Sequence, residues 1–398
     1  MHDVEVAIVG GGPAGLSTAL FLAKARPDLT ERIVVLEKKA YPREKYCAGA
    51  VAARADALLA SAGVRVDVPS VVIDGLSVRT QQGSGVNRHG RIGRVVRRIE
   101  FDHELASGVR AKGIRIEENA RATALAVNED GAIVTTPKGE LRARVVVGAD
   151  GVGSFVRRAA AIGGDADLLA QVIELDTEPV QSDLPRDVLH FDTQDRTFSG
   201  YTWDFPTVVD GEEKVCRGIY HLRLDDRAVD IQSILARRLA AQGLDMNRYK
   251  LKRYAERGFE PRRRQSSPRV LLVGEAAGID GLSGEGIAQS IEYAAIAGPY
   301  IAEKLAEGDL SFRDWSARVA RTKLGIDLRL RHRLLSYYGG RYRSWFERHL
   351  LLTPEFIACS MERFAGQRVK TSRLVPPLLG AAWAFFVPDR DADVVAAH

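Results

Sequence analysis

The sequence predicts an α/β fold built on a parallel sheet. Three observations carry this: a strand, glycine turn, helix and strand unit over Asp3–Glu37, two later apolar strands that also end in small residues, and a separate run of strands between them. In the first unit Val4–Val9 reads as a strand, Gly10-Gly11-Gly12-Pro13-Ala14-Gly15 as the turn, Leu16–Ala23 as a helix and Arg32–Glu37 as the second strand. Gly10 permits the tight turn, Gly12 lets backbone approach a pyrophosphate, and Gly15 lets the helix sit on the sheet. The phosphates would rest on the unpaired N–H groups of the helix N-terminus. Glu37, followed by Lys38, stands where an acid accepts a hydrogen bond from an adenosine ribose hydroxyl, and its charge disfavours a 2′-phosphate. With all the parts in order, the unit predicts a dinucleotide site.

The 398 residues exceed the usual size of one core, so a main domain with a second lobe is expected. Apolar content of 45% with 27% charge is ordinary for a globular protein, and no apolar run approaches the roughly 18 residues of a membrane span. The first strand starts at Val4, leaving no room for a secretory leader, so a cytoplasmic location is expected. Cys47, Cys216 and Cys359 are scattered without Cys-x-x-Cys spacing, which predicts free thiols and no metal site. Net charge is +5, and Arg329, Arg331, Arg333, Arg341, Arg343 and Arg348 crowd the C-terminal part. They are read either as a solvated helical surface or as a contact for an acidic partner such as anionic lipid headgroups at a membrane periphery. Nucleic acid is not expected, because no binding motif accompanies the charge.

Along the chain, Lys38–Ala50 reads as a polar loop ending in the small residues Cys47-Ala48-Gly49-Ala50, and a helical run follows over Val51–Ala62. The loop admits two readings, a connection with a buried thiol or a place where backbone meets a flat ring. Val71–Val78 alternates like a strand, and Gly83, Gly85 and Gly90 read as loop punctuation. A strand at Val95-Val96 passes into a helix with Asp102 as its expected N-cap, which places Arg98 just ahead of the helix, on the surface or reaching a pyrophosphate. Strands are expected at 114–117, 122–127, 133–136 and 143–147. The last runs into Gly148-Ala149-Asp150-Gly151 and a helix, a second glycine-rich strand end facing the first.

Residues 168–223 read as a separate sheet with strands at 170–176, 188–191, 199–205 and 214–222, closed by a helix over 226–242. Alternation sends Tyr201, Trp203 and Phe205 to one face, as core or as the wall of an apolar pocket. The main sheet resumes at Arg269–Val273 and ends in Gly274-Glu275-Ala276-Ala277-Gly278. Gly284-Glu285-Gly286-Ile287 then opens a helix over 288–306, where free N–H groups suit the negative side of a reduced flavin. Beyond Ser311 the chain reads as helical and basic. The apolar stretch 374–387 is too short to span a bilayer and reads as a docked helix, a lid over a greasy tunnel or an interfacial contact.

With these three glycine-rich ends, the chain over Asp3 to about Ala306 resembles the flavoprotein superfamily of aromatic hydroxylases, flavin halogenases and geranylgeranyl reductases. Within it, Pro42–Gly49 is similar to the geranylgeranyl reductase loop Pro-Arg-Asp-Lys-x-Cys-x-Gly, Tyr201–Pro206 to its Tyr-x-Trp-x-Phe-Pro, Ser283–Ile287 to its Thr-Gly-Glu-Gly-Ile, and Arg98 with Phe101-Asp102 to its Arg-x-x-Phe-Asp. The resemblance implies a Rossmann-type FAD-binding domain, glutathione reductase-like and p-hydroxybenzoate hydroxylase-like, with an inserted β-sheet substrate lobe and a helical C-terminal region. The expected division is 1–70, 98–165 and 262–310 for FAD, 71–97 and 166–261 for substrate, and 311–398 for the helices. By the same resemblance Ala14, Glu37, Cys47, Ala48, Ala50, Arg98, Ala122, Glu275, Gly286 and Ile287 contact FAD, alongside Gly10, Gly12, Pro13, Gly15, Lys38, Asp150, Gly274 and Gly284 of the motifs. Two positions depart from the family pattern. Glu275 replaces the usual Asp, which pushes the carboxylate out by one methylene, and Gly281 stands where a proline is common.

The implied chemistry is hydride transfer from reduced flavin to a carbon–carbon double bond of an apolar, prenyl-type substrate, with Cys47, Tyr201 and Trp203 at the reacting centre. The alternative is a flavin monooxygenase acting on an aromatic natural product or a peptide side chain, with the substrate free or carrier-borne. A binding module without turnover is disfavoured by the aromatic pocket and the two extra glycine motifs. No second nucleotide unit is present in the sequence, so NADPH, NADH or a protein donor is expected to reduce the flavin transiently.

Overall fold

The computed structural model describes residues 2–376 and 379, apart from 164–167, 339, 341–342, 368 and 370. Two sheets carry the fold. In the first, His2–Val9 lies between Ile33–Leu36 and Gly139–Gly148, with Arg115–Glu117 beyond one neighbour and Val270–Leu272 beyond the other. These pairings are parallel, and Val9 stands level with Leu36 and Gly148, which in turn is level with Leu272. The central strand segments Val4–Val9, Ile33–Leu36, Val145–Gly148 and Val270–Leu272 are Val- and Ile-rich and buried on both faces, as parallel strands covered by helices must be. Because their carboxyl ends align, Gly10, Glu37, Asp150 and Glu275 emerge along one edge, the usual crevice of an open α/β sheet.

The helix Pro13–Ala25 follows the glycine turn and packs against Ile287–Glu307. Gly298 makes that contact possible, since a Cβ there would meet the backbone of Phe21 at 2.5 Å.

The second sheet is ordered Lys252–Arg257, Leu169–Thr177, Glu212–Leu222, Gly200–Val209, Val188–Asp192, Ser70–Thr80, Gly83–Val96 and Ala50–Ala52. It is antiparallel except where Val188–Asp192 runs alongside Ser70–Thr80. One face packs under Ile231–Ala241, shorter than the expected 226–242. The other carries Tyr201, Trp203, Phe205 and Tyr220 and meets Leu335, Tyr338, Ile357 and Met361 of the C-terminal region.

Three local expectations are corrected. Gly83, Gly85 and Gly90 do not punctuate loops; they lie in the strand Gly83–Val96, paired with Ser70–Thr80. At Gly85 the missing side chain leaves room for the C-terminal segment, with Ile357 Cδ1 3.1 Å from where a Cβ would sit. Asp102 is not an N-cap. The helix runs Arg98–Ala111, and Asp102 lies inside it because its buried carboxylate pairs with Arg98 one turn earlier. The helical run expected from Val51 starts at Ala53, since Ala50–Ala52 is drawn into the second sheet by pairing with 93–95. Arg341 and all but a few residues of the apolar stretch 374–387 lie outside the described residues.

Candidate active site

A cavity of about 1030 Å³ runs from the glycine turn, past the aromatic face of the second sheet, to the helices beyond residue 323. Of the residues singled out in the sequence, Gly10, Gly12, Pro13, Ala14, Glu37, Lys38, Cys47, Ala48, Ala50, Arg98, Ala122, Asp150, Tyr201, Trp203, Glu275, Gly284, Gly286 and Ile287 line it. Gly15 and Gly274 do not. A Cβ on Gly15 would meet the Gly10 carbonyl at 1.9 Å and one on Gly274 would meet the Ala14 methyl at 2.6 Å, so both glycines serve close packing.

At the turn, Gly10 has φ +112°, and a Cβ on it would strike the Ala149 carbonyl at 2.3 Å. Gly12 differs. A Cβ there would meet nothing within 4 Å, so the protein leaves open the place where its backbone approaches a phosphate group.

The Glu37 carboxylate is buried and accepts from the backbone N–H of Gly11 at 3.0 Å and of Lys39 at 3.1 Å. Arg43 lies 3.2 Å from it, donates to the Gly11 carbonyl at 2.8 Å and pairs with Asp102 at 2.9 Å. The hydroxyl of Tyr41 donates to the same carbonyl. Tyr41 was not picked out from sequence, and Arg43 only as part of the Pro42–Gly49 motif. Their loop admitted two readings, a connection with a buried thiol or backbone meeting a flat ring, and its first half braces the glycine turn.

Arg98 forms a two-pronged pair with Asp102, at 2.7 and 2.9 Å, on the cavity wall beside Cys47. Asp150 accepts from the Ser154 hydroxyl at 2.5 Å and the Val156 N–H at 3.1 Å, so it also fixes the start of the helix Phe155–Ala159. The Cys47 N–H donates to Glu174 Oε1 at 3.0 Å, and burial pushes the thiol above its ordinary range. Glu275 Oε1 is buried on the cavity wall without a hydrogen-bond partner, an acceptor left for a ligand hydroxyl.

The loop before the helix Ile287–Glu307 is suspended on three phenols. Tyr220 donates to the Gly281 carbonyl at 3.0 Å, Tyr338 to Leu282 at 2.5 Å and Tyr201 to Ser283 at 2.6 Å. Tyr201 also stacks on Tyr220, with centroids 5.2 Å apart and planes 14° from parallel. From the other side Arg331 donates to Asp280 at 2.5 Å and Ser283 at 2.9 Å and pairs with Glu285 at 3.3 Å. Tyr220, Tyr338 and Asp280 carried no signal of their own in the sequence, and two arginines read there as a solvated surface or an acidic-partner contact turn inward instead, Arg331 onto Asp280 and Glu285 and the buried Arg343 onto Glu347.

The open phosphate position, the orphaned acceptor of Glu275 and the helix start at Gly286-Ile287 fit FAD extended along the strand ends. Residues 3–308 match the family described as FAD binding domain. The chain belongs to that family. It is an FAD-dependent oxidoreductase. The FAD-family chain is 27% identical over 328 residues to digeranylgeranylglycerophospholipid reductase 2 of Methanopyrus kandleri, covering 78% of its own length and 79% of the relative's. Its fold is similar to that of a geranylgeranyl bacteriochlorophyll reductase-like protein from Thermoplasma acidophilum, with a TM-score of 0.67, 20% identity and 98% of each chain covered. It is also similar to the OxyS anhydrotetracycline hydroxylase of Streptomyces rimosus, with a TM-score of 0.66, 22% identity, and 92% of this chain and 76% of that one covered. No helix among the described residues is long and apolar enough to cross a membrane, and they contain no cluster fit for a metal ion.

Proposed function

We propose that this FAD-dependent oxidoreductase saturates carbon–carbon double bonds of a long apolar, prenyl-type substrate. The observation that carries the reading is the composition of the cavity beyond Tyr201. Leu76, Ile92, Leu189, Phe191 and Phe205 line one side, and Phe346, Leu351, Phe356, Met361 and Phe364 line the other. Such a slot receives a hydrocarbon chain and excludes water. The name of the Methanopyrus relative supports the same substrate class.

When bound and reduced, FAD supplies hydride to the substrate. In this reading Gly12 and the helix start at Pro13 receive the pyrophosphate, Arg98 adds positive charge beside it, and Glu275 holds a ribityl hydroxyl. Cys47, Ala48, Gly284 and Gly286 border the ring. Tyr201 and Trp203 set the height of the substrate floor. The first sheet thus serves the cofactor, the second serves the substrate, and the C-terminal helices cover the slot. The reductant, a nicotinamide nucleotide or a protein donor, binds transiently, since the sequence carries one strand–glycine-turn–helix nucleotide unit.

Anaerobic turnover tests the reading. FAD-loaded protein, a chemical or nicotinamide reductant and geranylgeraniol should yield a product two hydrogens richer per reduced bond. A requirement for oxygen, or a hydroxylated product, would instead identify a monooxygenase.

A further inference from the structure

We propose that Glu256 is the acid that protonates the second alkene carbon as the first receives hydride; this rests on the double-bond reduction proposed above. Saturating an alkene takes a hydride and a proton, so the site must present a proton donor to the substrate. Among the hydroxyl groups on the cavity wall, four phenols are already committed as donors. Tyr201, Tyr220 and Tyr338 spend their protons on the carbonyls of residues 283, 281 and 282, and Tyr254 donates to Glu174 Oε2 at 2.9 Å. Burial makes these phenols and the Cys47 thiol weaker acids still.

Glu256 is placed differently. It enters the cavity wall from the strand Lys252–Arg257, and its Oε2 is buried with no hydrogen-bond partner. That oxygen lies 3.0 Å from where a Cβ on Gly284 would sit, and the Tyr201 hydroxyl lies 3.2 Å from the same point. The carboxyl therefore stands between the loop that would border the ring and the aromatic floor that would carry the substrate. A charged carboxylate with a buried, unpaired oxygen is costly, whereas the protonated form offers an O–H to whatever enters. Glu275, Asp280 and Glu174 surround it from three other segments, with the Lys45 ammonium acting in the opposite direction. Burial and these carboxylates hold its proton on well above the usual carboxylic range. Even so shifted, a carboxylic acid outcompetes a buried phenol as a donor.

The step balances. Hydride brings two electrons to one carbon, and the π pair takes the Glu256 proton at the other. Glu256 is left as a carboxylate that regains a proton from solvent, and reduced flavin is the two-electron reductant consumed.

The test uses FAD-loaded wild type and Glu256→Gln, which keeps the shape and loses the acid. Both are reduced with dithionite without oxygen and mixed with geranylgeraniol. Flavin reoxidation in Glu256→Gln should be slower by about 100-fold or more. Its flavin spectrum should be unchanged, and Glu256→Asp should recover part of the rate. The wild-type rate should fall as pH rises through the titration of Glu256, and Glu256→Gln should lack that limb. Infrared difference spectra should contain a protonated-carboxyl band at neutral pH in wild type and not in Glu256→Gln. Equal rates in the two proteins, or no such band, overturns the role of Glu256 and leaves the reductase reading intact. Wild type that is not reoxidised by the alkene overturns both.

Discussion

The hydroxyl of Tyr201 donates to the backbone carbonyl of Ser283 at 2.6 Å, tying the second sheet to the loop that precedes the long helix. Tyr201→Phe keeps the ring and its stack on Tyr220 but strands that carbonyl. The expected cost is about 0.5–1.5 kcal/mol, the net worth of a typical hydrogen bond, because Ser283 is only half-buried. FAD affinity should fall with it, because the loop is left on two phenols. Denaturant unfolding and flavin titration check this; unchanged values in both would mean that the loop is held elsewhere.

The glycine turn separates folding from loading. Gly12→Val should give a folded protein that no longer takes up FAD, because the new side chain enters open space that a phosphate would need. Gly15→Val should fail earlier, with loss of fold, since its Cβ would lie 1.9 Å from a backbone oxygen. Circular dichroism and flavin absorbance distinguish the two outcomes. A yellow Gly12→Val protein would count against the pyrophosphate position.

Trp203 is 3% exposed, and its indole covers Gly218 on the next strand, where a Cβ would lie 2.2 Å from the ring. Trp203→Ala should destabilise by about 3–5 kcal/mol. Activity alone is therefore a poor measure. In the fraction that folds and holds FAD, the flavin should lose its spectral response to an apolar substrate. If that response persists, the aromatic face is ordinary core.

Cys47 should react slowly. Burial is the main cause of its raised pKa and the Glu174 and Glu256 carboxylates add to it, while Arg98 opposes them. The thiolate is thus scarce near pH 8, and alkylation should keep accelerating with pH beyond the point where an ordinary thiol, with a pKa of about 8.5, has levelled off. The linked stability has the matching sign: it is present below the unfolded pKa and lost as pH rises through the folded one. Peptide mapping of iodoacetamide adducts against pH reads this out, and prompt labelling of Cys47 at neutral pH in the native protein would contradict it.

What the sequence disclosed and what it withheld divide on physical lines. Strand ends such as Val9-Gly10, Gly148–Asp150 and Val273–Glu275 are legible because turn, small residue and apolar run are neighbours in the chain. Tyr201, Trp203 and Phe205 are legible as one face because strand alternation is local too. Glu256, Tyr220, Tyr338 and Arg331 acquire their roles from partners tens of residues away, and nothing near them in the chain marks those partners. Asp102 was misplaced for a related reason. A cap and an ion-paired helix residue look alike in sequence, and only the two-pronged contact with Arg98 separates them. Gly83, Gly85 and Gly90 read as breakers until the strand pairing is seen and, at Gly85, Ile357 lying over it.

Arg331 carries a consequence for how such a chain can be remodelled. The match to the cofactor family ends at residue 308, but the buried Asp280 is neutralised by a guanidinium more than twenty residues beyond that boundary, which also shares Glu285 with Arg54. Splicing a foreign tail onto residue 310 would leave the Asp280 carboxylate without its counterion at the heart of the site, while Glu285 would keep Arg54. Breaking a buried ion pair from one side typically costs about 3–5 kcal/mol. The tail and the loop must therefore be inherited, or transplanted, as a matched pair, so a chimera that exchanges the C-terminal helices of one relative for another has to carry position 280 with it.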